Sequence, residues 1–211
     1  MFTGIIETIG SIAEFTSTGK YYSMTIIPEM MANDLKPGES MAVDGCCLTI
    51  TTINKSNFKV EASPESINLT IIKDYHIGSK VNLERALLPN SRMGGHFVTG
   101  HIDAVGRISK IRAIENILEM VFEFPEEYRN LIVKKGSVAI NGVSLTVNEI
   151  GRNQFSVNII PHTRKITTIA DLKSGERVNL EFDIIGKYIV RMKTGESGGK
   201  LTLDKLIESG W

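Results

Sequence analysis

The sequence predicts an all-β protein made of one small barrel-like unit written twice, followed by a helical tail. Three observations carry this. First, Met1-Phe2-Thr3-Gly4-Ile5-Ile6-Glu7-Thr8-Ile9-Gly10 lies in step with Phe97-Val98-Thr99-Gly100-His101-Ile102-Asp103-Ala104-Val105-Gly106. A recurrence of this length marks a duplicated architecture. Second, short runs rich in β-branched residues, split by Asp-Gly and Asn-Lys-Ser-Asn turn signals, fill each copy. Third, about six such runs in roughly ninety residues suit a closed barrel, which leaves no sheet edge exposed. From pattern alone a sandwich remains open.

The copies stay in step from end to end. Residues 23–27 and 118–124 are apolar and alternating, as strands are. Residues 28–35 and 125–132 begin on Pro and carry acids early, which predicts a short helix in each copy. Residues 40–43, 48–53 and 58–62 read as strands. Asp44-Gly45 answers to Asn141-Gly142, and both read as tight hairpin turns because these residues tolerate positive φ. Residues 66–70 and 163–168 are candidates for second short helices. Val81-Asn82-Leu83-Glu84 recurs as Val178-Asn179-Leu180-Glu181. A single one-residue slip falls between Ile12 and Pro28.

Leu88-Pro89-Asn90-Ser91-Arg92-Met93-Gly94-Gly95 reads as the linker, and the second copy ends near Asp183. The expected domains are residues 1–90 and 91–186, with a helical segment over 187–211. There Ile185, Ile189 and Met192 share one helical face. Residues 194–200 are Gly-rich, and Thr202 is placed to cap a last turn carrying Leu203, Leu206 and Ile207. The apolar stripe either packs on its own barrels or forms an oligomer interface.

Composition narrows the function. Lys+Arg and Asp+Glu are equal at 24 each, so the basic excess of a general nucleic-acid binder is missing. No apolar run approaches the ~18–20 residues that span a bilayer. The N-terminus lacks the basic region of a secretory signal. Cys46 and Cys47 are the only cysteines, and adjacent cysteines rarely bridge. A reduced, cytoplasmic protein with no membrane partner is the simplest expectation. His76, His96, His101 and His162 lack metal-ligand spacing, and no phosphate-binding glycine motif follows a strand. No metal cluster and no phosphate cradle are expected from these residues.

Duplicated pockets should hold two similar ligands. Thr3-Gly4 and Thr99-Gly100 would expose strand backbone to a flat heterocycle, and Leu48-Thr49 and Leu145-Thr146 would add an apolar wall and a hydroxyl. Taken singly, these are ordinary strand and turn residues; as a matched set they suggest a pocket. The differences carry chemistry. Ile5 becomes His101, Cys47 becomes Ser144, Gly38 becomes Lys135, Glu65 becomes His162 and Ala86 becomes Asp183. Two identical molecules can play unlike parts only if their pockets differ. His101 is the candidate base, since imidazole titrates near neutrality. Ser144 and Cys47 are candidate nucleophiles or hydrogen-bond partners. His96 and His101 both also read as surface residues.

Met1-Phe2-Thr3-Gly4-Ile5-Ile6-Glu7, Asp44-Gly45-Cys46-Cys47-Leu48-Thr49, Val81-Asn82-Leu83-Glu84-Arg85-Ala86, Gly94-Gly95-His96-Phe97-Val98-Thr99-Gly100-His101-Ile102-Asp103 and Asn141-Gly142-Val143-Ser144-Leu145-Thr146 together resemble the riboflavin synthase family of lumazine-binding repeats. The resemblance covers nearly the whole chain. It implies two tandem six-stranded Greek-key β-barrels related by internal duplication, plus a C-terminal α-helix. The implied reaction takes two molecules of 6,7-dimethyl-8-ribityllumazine and moves a four-carbon unit between them. The products are riboflavin and 5-amino-6-ribitylamino-2,4(1H,3H)-pyrimidinedione, without metal or cofactor. A homotrimer held by C-terminal helices is implied, with its site between neighbouring subunits and lumazine synthase as a candidate partner.

Carried over residue by residue, the first pocket takes Gly4, Ile5, Ile6, Cys47, Leu48, Thr49, Glu61, Ala62, Ser63, Pro64, Glu65 and Ser66. The second takes Gly100, His101, Ile102, Lys135, Ser144, Leu145, Thr146, Asn158, Ile159, Ile160, Pro161, His162 and Thr163. The candidate catalytic set is His101, Ser144, Cys47, Thr146 and Asp183. A non-enzymatic carrier or optical protein of the same fold, binding lumazine or flavin, is the competing expectation. The presence of Cys47, His101 and Ser144 favours the enzyme.

Overall fold

The computed structural model describes residues 1–17 and 21–194. The expectations placed on residues 195–211, including Thr202, Leu203, Leu206 and Ile207, lie outside the described residues.

The first copy folds as β1 (Thr8–Ser17), β2 (Tyr22–Pro28), β3 (Ser40–Val43), β4 (Cys46–Ile53), β5 (Phe58–Ala62), α1 (Pro64–Leu69) and β6 (Lys80–Arg85). The second gives β7 (Ala104–Ile114), β8 (Ile117–Glu123), β9 (Ser137–Ile140), β10 (Val143–Ile150), β11 (Gln154–Ile159), α2 (Pro161–Ile166) and β12 (Arg177–Phe182), and α3 (Ile184–Thr194) follows. Each set closes into an antiparallel barrel in the order β1-β2-β5-β4-β3-β6, and the second barrel repeats that Greek-key order. Period-two alternation explains the closure. In β4, Cys46, Leu48 and Ile50 face the core, while Cys47 and Thr49 face out. Bulges at Ile12/Glu14 and Ile50/Thr52 recur at Ile108/Lys110 and Val147/Glu149. They supply the bending that a small barrel needs. Asp44 and Gly45 have φ of 44° and 79°, Asn141 and Gly142 of 44° and 78°, as a tight hairpin turn between twisted strands demands.

The expected helices over 28–35 and 125–132 differ from the fold. In the first copy β2 runs to Pro28. The Glu29 N–H then donates to Ile9 O at 2.8 Å and the Met30 N–H to Thr8 Oγ1 at 3.2 Å, so pairing with β1 uses donors a helix would need. In the second copy Glu126–Leu131 is a 3₁₀ helix. Tyr128 anchors it, stacking on Phe182 at 5.1 Å and donating from its hydroxyl to Asp103 O at 2.8 Å. The first copy has Met31 and Arg85 at those two places. Early acids and proline alone did not distinguish the outcomes.

The barrels dock through their own hairpins. A Cβ on Gly45 would stand 2.7 Å from Gly142 N, so only glycine permits this approach. Fully buried Asn82 donates to Asn141 O at 2.9 Å and accepts from Thr168 N at 2.8 Å. Its repeat, Asn179, donates to Asp44 O at 2.9 Å and accepts from Ile71 N at 2.8 Å. These amides would each be costly to bury unpaired. Paired across the junction, they fix how the barrels meet.

Ile185, Ile189 and Met192 of α3 remain about half exposed or more, with Tyr188 beside them. Among the described residues, the stripe therefore does not pack on the chain's own barrels. The helix is held from its other side, where Lys187 pairs with Asp103 at 2.6 Å.

Candidate functional site

The segments that open each copy cross over to the other barrel. Ile6 belongs to the core of the second barrel, and Ile102 packs against the core of the first. Between them Phe2 and Val98 exchange backbone hydrogen bonds at 2.7 and 3.1 Å and pack with Ala42 and Ala139 into a small shared core. The crossing regroups the residues carried over above. Gly4, Ile5 and Ile6 do not join Cys47 and Thr49. They lie against β10, where the Ser144 N–H donates to Gly4 O at 2.8 Å. Gly100, His101 and Ile102 lie against β4, where the Cys47 N–H donates to Gly100 O at 2.9 Å.

Two faces result. On the first barrel, Cys47 and Thr49 point out from β4, and Thr49 lies opposite Glu61 on β5. Ala62, Ser63, Pro64, Glu65 and Ser66 continue from there into α1. Ser63 Oγ accepts from Ser66 N at 3.1 Å, so Ser63 caps that helix. On the second barrel, Ser144 and Thr146 point out from β10, and Asn158 is exposed on β11. Ile160, Pro161, His162 and Thr163 open α2. Lys135 stands where the first copy has Gly38 and shares its positive φ, 66° against 90°. Both positions donate a backbone N–H to the neighbouring strand at 2.8 Å. A lysine in this left-handed region costs about 1–2 kcal/mol, and strain of this kind gathers at functional sites. Leu48, Ala62, Leu145 and Ile159 turn their side chains into the barrel cores, so only their backbone can border a ligand.

The expected pairing of His101 with Ser144 changes. His101 is exposed and its loop faces Cys47. The imidazole beside Ser144 is His96, whose Nδ1 lies 2.7 Å from Ser144 Oγ. His96 is 9% exposed, and its Nε2 is buried with no hydrogen-bond partner among the described residues. Burial lowers its pKa from the usual 6.5, and the nearby charge of Asp183 partly opposes this. Asp183 itself accepts from Ile185 N at 2.9 Å, tying down the first turn of α3. A neutral, desolvated imidazole bonded to a serine hydroxyl can relay a proton.

His96 escaped the sequence reading for a definite reason. Its counterpart in the first copy would fall before Met1, so comparing the copies could not flag it. Glu84 and Glu181 also went unmarked, although their repeat was visible. Glu84 Oε1 accepts from Thr3 N and Thr3 Oγ1, both at 2.7 Å, and Oε2 from Gly4 N at 3.0 Å. Glu181 repeats this with Thr99 N at 2.6 Å, Thr99 Oγ1 at 2.7 Å and Gly100 N at 2.9 Å. Burial raises both carboxyl pKa values, and these donors pull them back. The two Thr-Gly pairs are thus clamped loops, not exposed strand backbone. Gly4 and Gly100 have φ of 76° and 83°.

Comparison with known proteins agrees with this architecture. The lumazine binding domain matches twice, over residues 3–86 and 99–183. Riboflavin synthase from Photobacterium phosphoreum is 38% identical across 100% of this chain and 99% of its own length. That from Bacillus subtilis (strain 168) is also 38% identical, covering 100% of both chains. Among solved structures, LumP complexed with riboflavin superimposes with a TM-score of 0.78 at 27% identity, over 86% of this chain and 99% of LumP. LumP complexed with 6,7-dimethyl-8-(1'-D-ribityl) lumazine gives 0.76 at 26% identity, with the same coverage. With both barrels matched and the relatives aligned from end to end, the chain belongs to the lumazine binding domain family, in the company of the riboflavin synthases.

Proposed function

We propose that this chain is a transferase acting on two molecules of 6,7-dimethyl-8-ribityllumazine, one bound on each barrel's outer face. One gives up four carbons to the other, yielding riboflavin and the pyrimidinedione. The observation that carries the reading is the unlikeness of two otherwise repeated faces: Cys47 on one, the Ser144–His96 pair on the other. The 7-methyl group of a lumazine is acidic because its anion spreads into the ring. Ser144 Oγ takes that proton as its own hydroxyl proton passes to Nδ1 of neutral His96, leaving an imidazolium. Cys47 on the opposite face is placed to meet the partner ring. The backbone groups of Gly4–Ile6 and Gly100–Ile102 border the two ligands, and stacking them in one orientation supplies much of the acceleration.

A homotrimer completes the reading. The exposed stripe of α3 is its contact, and a Cys47 face meets a Ser144 face between neighbours. Both cysteines are free, which suits a reducing cytoplasm. Lumazine synthase, as the source of the substrate, is the candidate partner.

Similarity to LumP supports a second reading, a carrier that binds without converting. Incubation with the lumazine separates them. Two lumazines should vanish for each riboflavin and each pyrimidinedione formed. Saturable binding with no flavin would establish the carrier.

A further inference from the structure

The clamping carboxylates sit on the wrong barrel for the faces they serve. Glu84 belongs to β6 of the first barrel, yet the Thr3-Gly4 loop it holds lies over Ser144 of the second. Glu181 belongs to β12 of the second barrel, yet the Thr99-Gly100 loop it holds lies over Cys47 of the first. The contacts leave little slack. A Cβ on Gly4 would stand 2.6 Å from Ser144 Cβ, and one on Gly100 2.5 Å from Cys47 Cβ.

The two clamps differ in one respect. Thr3 O accepts the His96 backbone N–H at 3.1 Å, so Glu84, Thr3, His96 and Ser144 are linked residue to residue by hydrogen bonds. Among the described residues no histidine is placed in this way on the Cys47 side; the His101 N–H donates to Thr99 Oγ1 at 3.3 Å just as the Ile5 N–H does to Thr3 Oγ1.

We propose that Glu84 and Glu181 are crossed positioning residues: Glu84, from the first barrel, sets the Ser144–His96 geometry on the second, and Glu181, from the second, sets the wall over Cys47 on the first. An ionised carboxylate offers only acceptors, and each here meets three donors. A glutamine turns one end into a donor that faces an N–H or O–H. The loop must then move, and the face that suffers is the distant one.

The turnover part of the test rests on the function proposed above; a thiol part does not. Cys46 is 4% exposed and burial pushes its pKa up to about 12, so Cys47 is the thiol that a disulfide reagent such as DTNB reads. In Glu181→Gln, Cys47 should react at least about fivefold faster, because local opening uncovers it, and KM should rise more than kcat falls. In Glu84→Gln, Cys47 should react within about twofold of the parent, while kcat falls about tenfold or more at little-changed KM. Equal effects of the two variants on Cys47, or no effect of either, would overturn the crossing. Should a glutamine variant fail to fold, Thr3→Val and Thr99→Val remove one donor each and should show the same split, smaller. A parent that binds but never turns over would sink the proposed function and leave the thiol result to decide the clamps.

Discussion

Substituting Gly100 with alanine tests how tightly the crossing loop is seated. Two costs act together. At φ 83° a non-glycine residue is strained by about 1–2 kcal/mol. The new methyl would also stand 2.5 Å from Cys47 Cβ, 2.9 Å from Phe2 Cε2 and 3.0 Å from Cys47 N. Forcing extra volume into a packed site costs about 1–3 kcal/mol more, so Gly100→Ala should lose about 2–5 kcal/mol. Gly175 provides the control: its φ is 93°, and none of the described residues lies within 4 Å of an added Cβ. Gly175→Ala should lose only the backbone share of about 1–2 kcal/mol. Urea unfolding of both variants beside the parent reads the difference. If Gly100→Ala unfolds at the same urea concentration as Gly175→Ala, the loop is not wedged against Cys47 and Phe2 as described.

Other substitutions probe separate parts of the molecule. Ser144→Ala should cut turnover by about 10²–10⁴, the usual worth of a positioned base, while leaving the thermal unfolding midpoint within a few degrees; steady-state flavin formation measures it. Lys135→Gly should keep or raise the unfolding midpoint, because it relieves a positive-φ lysine, and should weaken substrate binding in a titration. Asp44 should make stability depend on pH, since burial raises its pKa from 3.8 to about 7 against the pull of Asn82 N–H and the Tyr75 hydroxyl. The folded chain holds this proton in a window where the unfolded chain has lost it. Its contribution is therefore intact below about pH 4 and is lost as pH rises through about 7. Asp44→Asn, matching Asn141 of the second copy, should gain stability relative to the parent between pH 5 and pH 8 in paired unfolding curves. A pH-independent difference would remove Asp44 as the cause.

The barrels were legible because the same strand pattern was written twice and the Asp-Gly and Asn-Gly turns punctuated it. Cys47 and Ser144 were legible because the copies differ there. What stayed hidden came from the meeting of the copies. Ile6 and Ile102 look like any strand residue, and nothing in their local pattern says that each belongs to the other barrel's core. Glu84 looks like an exposed acid on alternating β6, yet it is buried by a loop from 80 residues earlier in the chain. His96 directly follows the glycine-rich stretch, residues 88–95, that reads as linker. It becomes buried only because Gly95 passes close enough to Thr3 O and Ser144 to bring it there. Local sequence sets strands and turns, but burial of a polar side chain is decided by which distant segment covers it.

Counting bound ligand would decide most about the paired, unlike faces. An unreactive lumazine analogue, titrated calorimetrically into the intact chain, should saturate at two molecules per chain with distinct affinities. Glu181→Gln should weaken the site on the Cys47 face and leave the other within about twofold, whereas Glu84→Gln should leave both affinities close to the parent's. Saturation at one molecule per chain, with neither variant discriminating, would contradict two substrate faces built by crossed loops.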